Sequence, residues 1–135
     1  MVIMDFCDIT EEVQKITVYN NGEAKEYSRG DEFNLIINGW CDLLEGAREM
    51  PAFGVSLNEE TLAARNSGVW VEYGFDKTLT HNGMSFSKLL VGVQPTYKGF
   101  NIVRYNADGG YFGRCFYIDL VNRNMSDFYD ILVDL

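Results

Sequence analysis

The spacing of apolar residues changes several times along the chain, and each change predicts an element. From Asp31 to Arg48, the residues Phe33, Ile36, Ile37, Trp40, Leu43, Leu44 and Ala47 recur three and four apart, which predicts one long amphipathic helix. Asp31 and Glu32 fall in its first turn, where they suit the positive end of the helix dipole, and Pro51 forbids continuation past Met50. Gly39 lies inside it at a cost of about 1 kcal/mol relative to alanine, so either close packing against another element or a kink is expected there. A second, shorter helix is expected from Asn58, whose side chain can cap amides near Glu60 or Thr61, to about Asn66, before Gly68. A short last helix from Ser126 to Val133 follows from Phe128, Ile131 and Leu132, with Asn124 or Ser126 as its cap.

Strand patterns occupy the rest. Lys15 to Tyr27 reads as a hairpin turning at Asn20-Asn21-Gly22, and its polar return, with Glu23, Lys25 and Glu26, suits a sheet edge. Between the helices, Ala52 to Leu57 reads as a connector carrying Phe53 and Val55. Val69, Val71, Tyr73 and Phe75 alternate with Trp70, Glu72 and Gly74, a strand apolar on nearly both sides and hence central. Asp76 to Phe86 reads as a polar excursion with His81-Asn82-Gly83 at its tip, and Leu89 to Gln94 as a strand ended by Pro95. With a final hairpin over residues 100–120, the order is ββααββββα. This predicts one α+β domain across all 135 residues. It should hold a single, mainly antiparallel sheet of five or six strands, one long and two short helices, the long helix across the sheet and the last helix beside it.

The last hairpin carries the sharpest chemistry. If Ala107-Asp108-Gly109 forms a three-residue loop with a left-handed glycine, residue 106 faces 110, 104 faces 112 and 102 faces 114. Arg104 and Arg114 then share a face with Phe100, Ile102, Phe112, Phe116, Ile118 and Leu120; a two-residue Asp108-Gly109 turn would instead put the arginines on opposite faces. A guanidinium in an apolar layer must find an anion, reach water along its stem or serve a ligand. Glu72, on the Trp70 face of a neighbouring strand, is a plausible structural partner. The alternative is an anion-binding pocket formed by Trp70, Glu72, Arg104 and Arg114.

Catalytic parts are scarce. His81 is the sole histidine, placed on a turn, which argues against a metal cluster or a histidine triad and for a surface residue. A Glu72–Asp119 carboxylate pair would permit acid/base chemistry only if their strands adjoin, and Gly109-Gly110-x-x-Gly113 lacks the helix N-terminus a phosphate loop needs. No cofactor or metal is therefore expected. Cys7, Cys41 and Cys115 are odd in number and set among apolar neighbours, which suits reduced, inert thiols of a cytoplasmic core. The start has no basic region and no stretch approaches a membrane span, so neither export nor membrane insertion is expected.

Net charge is −9, and residues 1–67 carry 13 acids against 5 bases, while the remainder carries 7 against 6. Such a field repels nucleic-acid backbones and attracts cations. The expectation is a non-enzymatic acidic module that binds a basic protein partner through Asp31, Glu32, Asp42, Glu45 and Glu49, around the first helix. Nuclease inhibitors and toxin-immunity proteins use the same physics, though no family motif is present. The second expectation is an anionic small-molecule binder or an enzyme using the Arg104/Arg114 face, and the third is self-association through a sheet edge.

Overall fold

In the computed structural model, which describes residues 9–51, 54–106 and 109–135, a 3-10 turn at Thr10–Glu12 leads into ten strands and three helices. The strands are β1 (Val13–Asn20), β2 (Glu23–Tyr27), β3 (Arg48–Met50), β4 (Val55–Ser56), β5 (Val69–His81), β6 (Met84–Val93), β7 (Gly99–Asn106), β8 (Gly110–Tyr111), β9 (Gly113–Arg114) and β10 (Phe116–Asp119). The helices are α1 (Asp31–Leu44), α2 (Asn58–Arg65) and α3 (Ser126–Val133). The protein is α+β with an antiparallel main sheet, but that sheet has eight strands, ordered β2-β1-β5-β6-β7-β10-β3 with β8 on β7. A further two-stranded sheet joins β4 to β9. The expectation of five or six strands fell short because β3, β4, β8 and β9, two or three residues each, are too short to display a period of two.

The sheet divides the molecule into two unequal layers. On one face, Phe33, Ile36, Trp40 and Leu43 of α1 and Phe128 and Leu132 of α3 pack against Ile16, Val71, Tyr73, Leu89, Phe100, Ile102, Phe116 and Ile118. Burial of each large apolar side chain contributes about 1.5–3 kcal/mol. Gly39 is the contact between the two helices: a Cβ there would lie 2.7 Å from Ile131 Cδ1 and 3.2 Å from Phe128 Cδ1. Close packing, rather than a kink, accounts for this mid-helix glycine.

The long helix ends at Leu44, four residues before its expected end. Glu45 leaves the helical region at φ −63° and ψ 120°, and with Gly46 at φ +79° it forms a type II turn closed by the Ala47 N–H donating to Leu44 O at 3.0 Å, after which Arg48–Met50 goes on to pair with β10. Its freed carbonyls are met by Arg123, whose Nη1 donates to Asp42 O at 2.6 Å and Glu45 O at 2.9 Å. Asn58 does not cap α2: its Oδ1 accepts from the Tyr111 N–H at 2.9 Å and ties the helix to β8. The expected excursion over Asp76–Phe86 is a long extension of the β5–β6 hairpin, turned at Asn82-Gly83 with φ values of 50° and 76°. One side of this ribbon is polar and solvated, while Leu79, Met84 and the fully buried Phe86 on the other side pack onto the main core.

The last hairpin follows the three-residue-loop register only near its tip, where Asn106 faces Gly110 and Tyr105 faces Tyr111; Ala107 and Asp108 of that loop lie outside the described residues. Phe116, not Arg114, then faces Ile102. The two extra residues, Gly113 at φ +96° and Arg114, leave the main sheet to pair with β4. This bulge changes the surroundings of both arginines.

Candidate functional site

Arg104 and Arg114 are separated by the bulge. Arg104 pairs in register with Leu89 on the α1 side of the sheet and is only 9% exposed. Its Nε donates to Arg114 O at 2.7 Å, and its Nη1 to Ser85 O at 2.8 Å and Asn106 Oδ1 at 3.4 Å. Burial lowers its pKa from the usual guanidinium value, and two main-chain oxygens and an amide oxygen, rather than a carboxylate, satisfy it. Phe112 and the Arg114 side chain are exposed, away from the apolar face expected for them. Neither arginine meets Glu72, and Trp70, Glu72, Arg104 and Arg114 do not form one pocket.

Glu72 instead lies on the opposite face of the sheet, 4% exposed. Its carboxylate accepts hydrogen bonds from the Tyr111 hydroxyl and from the Tyr19 hydroxyl, the latter at 3.4 Å. Arg65, at the end of α2, donates from Nη1 to the Tyr111 oxygen at 2.9 Å, and its guanidinium carbon stands 4.3 Å from the centre of the Tyr19 ring. The expected arginine partner thus exists at one remove, through a tyrosine. Burial, followed by the nearby Glu72 charge, raises the pKa of both Tyr19 and Tyr111. Arg65 was missed by sequence reasoning because a basic residue in a last helical turn already has a sufficient explanation in the helix dipole.

Beside this cluster the second face is incompletely covered. A groove of about 580 Å³ runs between the β4–α2 segment and strands β5, β6, β7 and β10, within the usual size range of binding clefts. Trp70 forms much of its floor. Its ring lies over Gly92, where a Cβ would come within 3.2 Å, and its Nε1 donates to Ser67 O at 2.9 Å. Tyr117 similarly lies over Gly99, and Asn101 over Gly54. Glycines facing aromatic or amide side chains across strands therefore keep the floor low; Gly92 between Val91 and Val93 was the available sequence signal.

The rim is apolar and acidic. Val55 is 69% exposed and Leu57 56%, with Tyr97 opposite and Glu60 on α2. Among the described residues, no lysine, arginine or histidine lines the groove. Cys115 lies beneath it as a free, buried thiol, raised in pKa by burial although Arg104 and Ser56 pull it down.

The five acids proposed for partner contact do not form one patch. Asp31 and Glu32 are exposed at the start of α1, and Asp42 and Glu45 are exposed at its end, about 16 Å away at the helical rise. All four lie on the layer opposite the groove. Glu49 is engaged: its carboxylate meets His81 Nε2 at 2.9 Å and Asn82 Nδ2 at 2.8 Å. His81 is accordingly no free surface histidine, since its side chain is only 18% exposed and its ring meets the edge of Phe116.

Asp119 is separated from Glu72 by two intervening strands and accepts from the Val121 N–H, so no carboxylate pair forms. Cys41 is disulfide-bonded, contrary to the expectation of reduced thiols; Cys7 and Phe53 lie outside the described residues. Among those residues, no group of three histidine, cysteine or acidic side chains could hold a metal, and no helix is long and apolar enough to cross a membrane. In comparisons with protein families, curated proteins and solved structures, the chain matches none.

Proposed function

We propose that this protein is a non-enzymatic binding module whose groove over Trp70 receives a segment of a basic protein partner. The observation carrying this reading is the composition of the groove wall: an aromatic floor, exposed aliphatic side chains and the Glu60 carboxylate, without a cation among the described residues. Aromatic side chains in a partly desolvated cleft favour an apolar anchor, and a net charge of −9 favours a cation beside it. Asp31, Glu32, Asp42 and Glu45 contribute to the long-range field that speeds encounter, while Glu60 makes the contact. Inhibition of a basic enzyme is one activity that such binding would produce. The anionic-ligand alternative is disfavoured by the commitment of Arg104 to main-chain oxygens.

The test is calorimetric titration with two blocked hexapeptides, one alternating leucine with lysine and the other leucine with glutamate. The lysine peptide should bind, shift Trp70 emission, weaken with added salt and lose about threefold or more in affinity to Glu60→Lys. Equal binding of the glutamate peptide, or indifference to both Trp70→Ala and Glu60→Lys, would sink the reading.

A further inference from the structure

The two-stranded sheet above the groove has one edge whose outward carbonyl is taken by a side chain and one open edge. Within it Val55 faces Arg114 and Ser56 faces Gly113, and the Cys115 N–H donates to Gly54 O at 2.8 Å. That bond makes Val55–Arg114 the non-hydrogen-bonded type of antiparallel pair. The amide and carbonyl of Arg114 therefore point away from β4, and those of Val55 point away from β9. On the β9 side the outward Arg114 carbonyl is taken by Arg104 Nε at 2.7 Å. On the β4 side, the Val55 N–H and C=O have no hydrogen-bond partner identified among the described residues. By alternation the Leu57 N–H points the same way, while the Leu57 carbonyl accepts from the Thr61 N–H at 2.9 Å.

This open edge lies along the groove, which residues 54–57 line. An unpaired strand edge is a template for another extended segment. Here its short length and the overlying apolar side chains of Val55 and Leu57 restrict what can pair. A segment laid against β4 would send alternate side chains down toward Trp70 and Asn101 and up beside Val55 and Leu57. The low floor above Gly92 and Gly99 leaves room for the downward set, and Glu60 supplies the charge that favours a cationic neighbour.

We infer that the partner segment binds by strand addition: an extended stretch of alternating apolar and basic residues pairs its main chain with Val55 and Leu57 and places an apolar side chain over Trp70. The inference rests on the groove reading above and specifies how the partner is held. Arg104 performs the complementary role on β9 by occupying its outward Arg114 carbonyl, which blocks pairing at that oxygen.

N-methylation of the leucine–lysine hexapeptide tests the pairing, because it removes main-chain donors without changing charge or side chains. Two peptides are needed, one methylated at each alternate set of residues. In strand addition only one set faces β4, so one peptide should lose at least tenfold in affinity while the other stays within about threefold of the parent. Equal loss in both, or loss in neither, overturns strand addition and leaves the groove reading standing. Failure of the unmodified peptide to bind, or binding unchanged in Trp70→Ala, overturns the groove reading and the pairing with it. As a check from the protein side, Val55→Pro removes the outward N–H but no β4–β9 ladder bond, and it should reproduce the loss seen with the sensitive peptide.

Discussion

Arg104 and Arg114 lie ten positions apart in one apolar hairpin, yet their replacements should have opposite consequences. Arg104→Met retains most of the buried stem but removes the donors that meet Arg114 O at 2.7 Å and Ser85 O at 2.8 Å. Each hydrogen bond from a charged donor contributes about 1.5–3 kcal/mol, or about 3–6 kcal/mol for the two. Relief from burying a guanidinium offsets part of this, leaving an expected loss of about 2–4 kcal/mol. For a domain of this length the melting temperature should fall by roughly 6–20 °C. Arg114→Ala removes an exposed side chain and keeps the carbonyl on which Arg104 depends, so stability should stay within about 0.5 kcal/mol of the parent. Urea denaturation followed by far-UV circular dichroism gives both values. A cost below about 1 kcal/mol for Arg104→Met, or an equal cost for the two variants, would refute the view that one arginine is a main-chain clasp and the other a surface residue.

Two further outcomes follow from the same structure. Burial raises Tyr73 and Tyr19, as well as Tyr111, above the ordinary phenol value of 10.0, and raises Cys115 above 9.0. Their contribution is fully present below the values of the unfolded chain and is lost as pH climbs through the folded ones, at about 1.4 kcal/mol per pH unit for each group; a urea midpoint unchanged between pH 8 and about pH 11 would contradict this. Gly92→Val places methyl groups where the Trp70 ring now lies, with an expected cost of about 1–3 kcal/mol and a shift in tryptophan emission; unchanged emission would mean that the ring does not rest on that strand.

The elements that could be read from sequence were those specified by their own residues. The stripe on α1, the Asn21-Gly22 turn, the two-sided apolar run at the start of β5 and the repeat on α3 each carry a local signal. The misread features depend on distant partners. The register after Tyr111 is displaced because Gly113 and Arg114 are claimed by Ser56 and Val55, more than fifty residues earlier. Glu72 finds Tyr111 and, through it, Arg65, an association that no spacing announces. His81 looked exposed on its turn because Glu49 and Phe116, which flank it, come from β3 and β10. Of the residues named from the sequence, Trp70 does lie on an interior strand of the sheet, but the groove over it required the fold to bring β4, α2 and β10 around it.

The inequality of the two layers has a dynamic consequence. Beneath α1 and α3 lies a broad apolar core, whereas the groove side is anchored by the small cluster of Leu90, Val103, Tyr111 and Cys115 together with a few polar ties. Opening of β4, α2 and β9 therefore exposes far less apolar surface than global unfolding and has a correspondingly lower free-energy cost. Amide protons of residues 54–65 should exchange through this partial opening, while those of α1 and the centre of β5 await loss of the whole fold. The same hierarchy lets the groove wall shift to accommodate a guest while the sheet beneath it stays fixed.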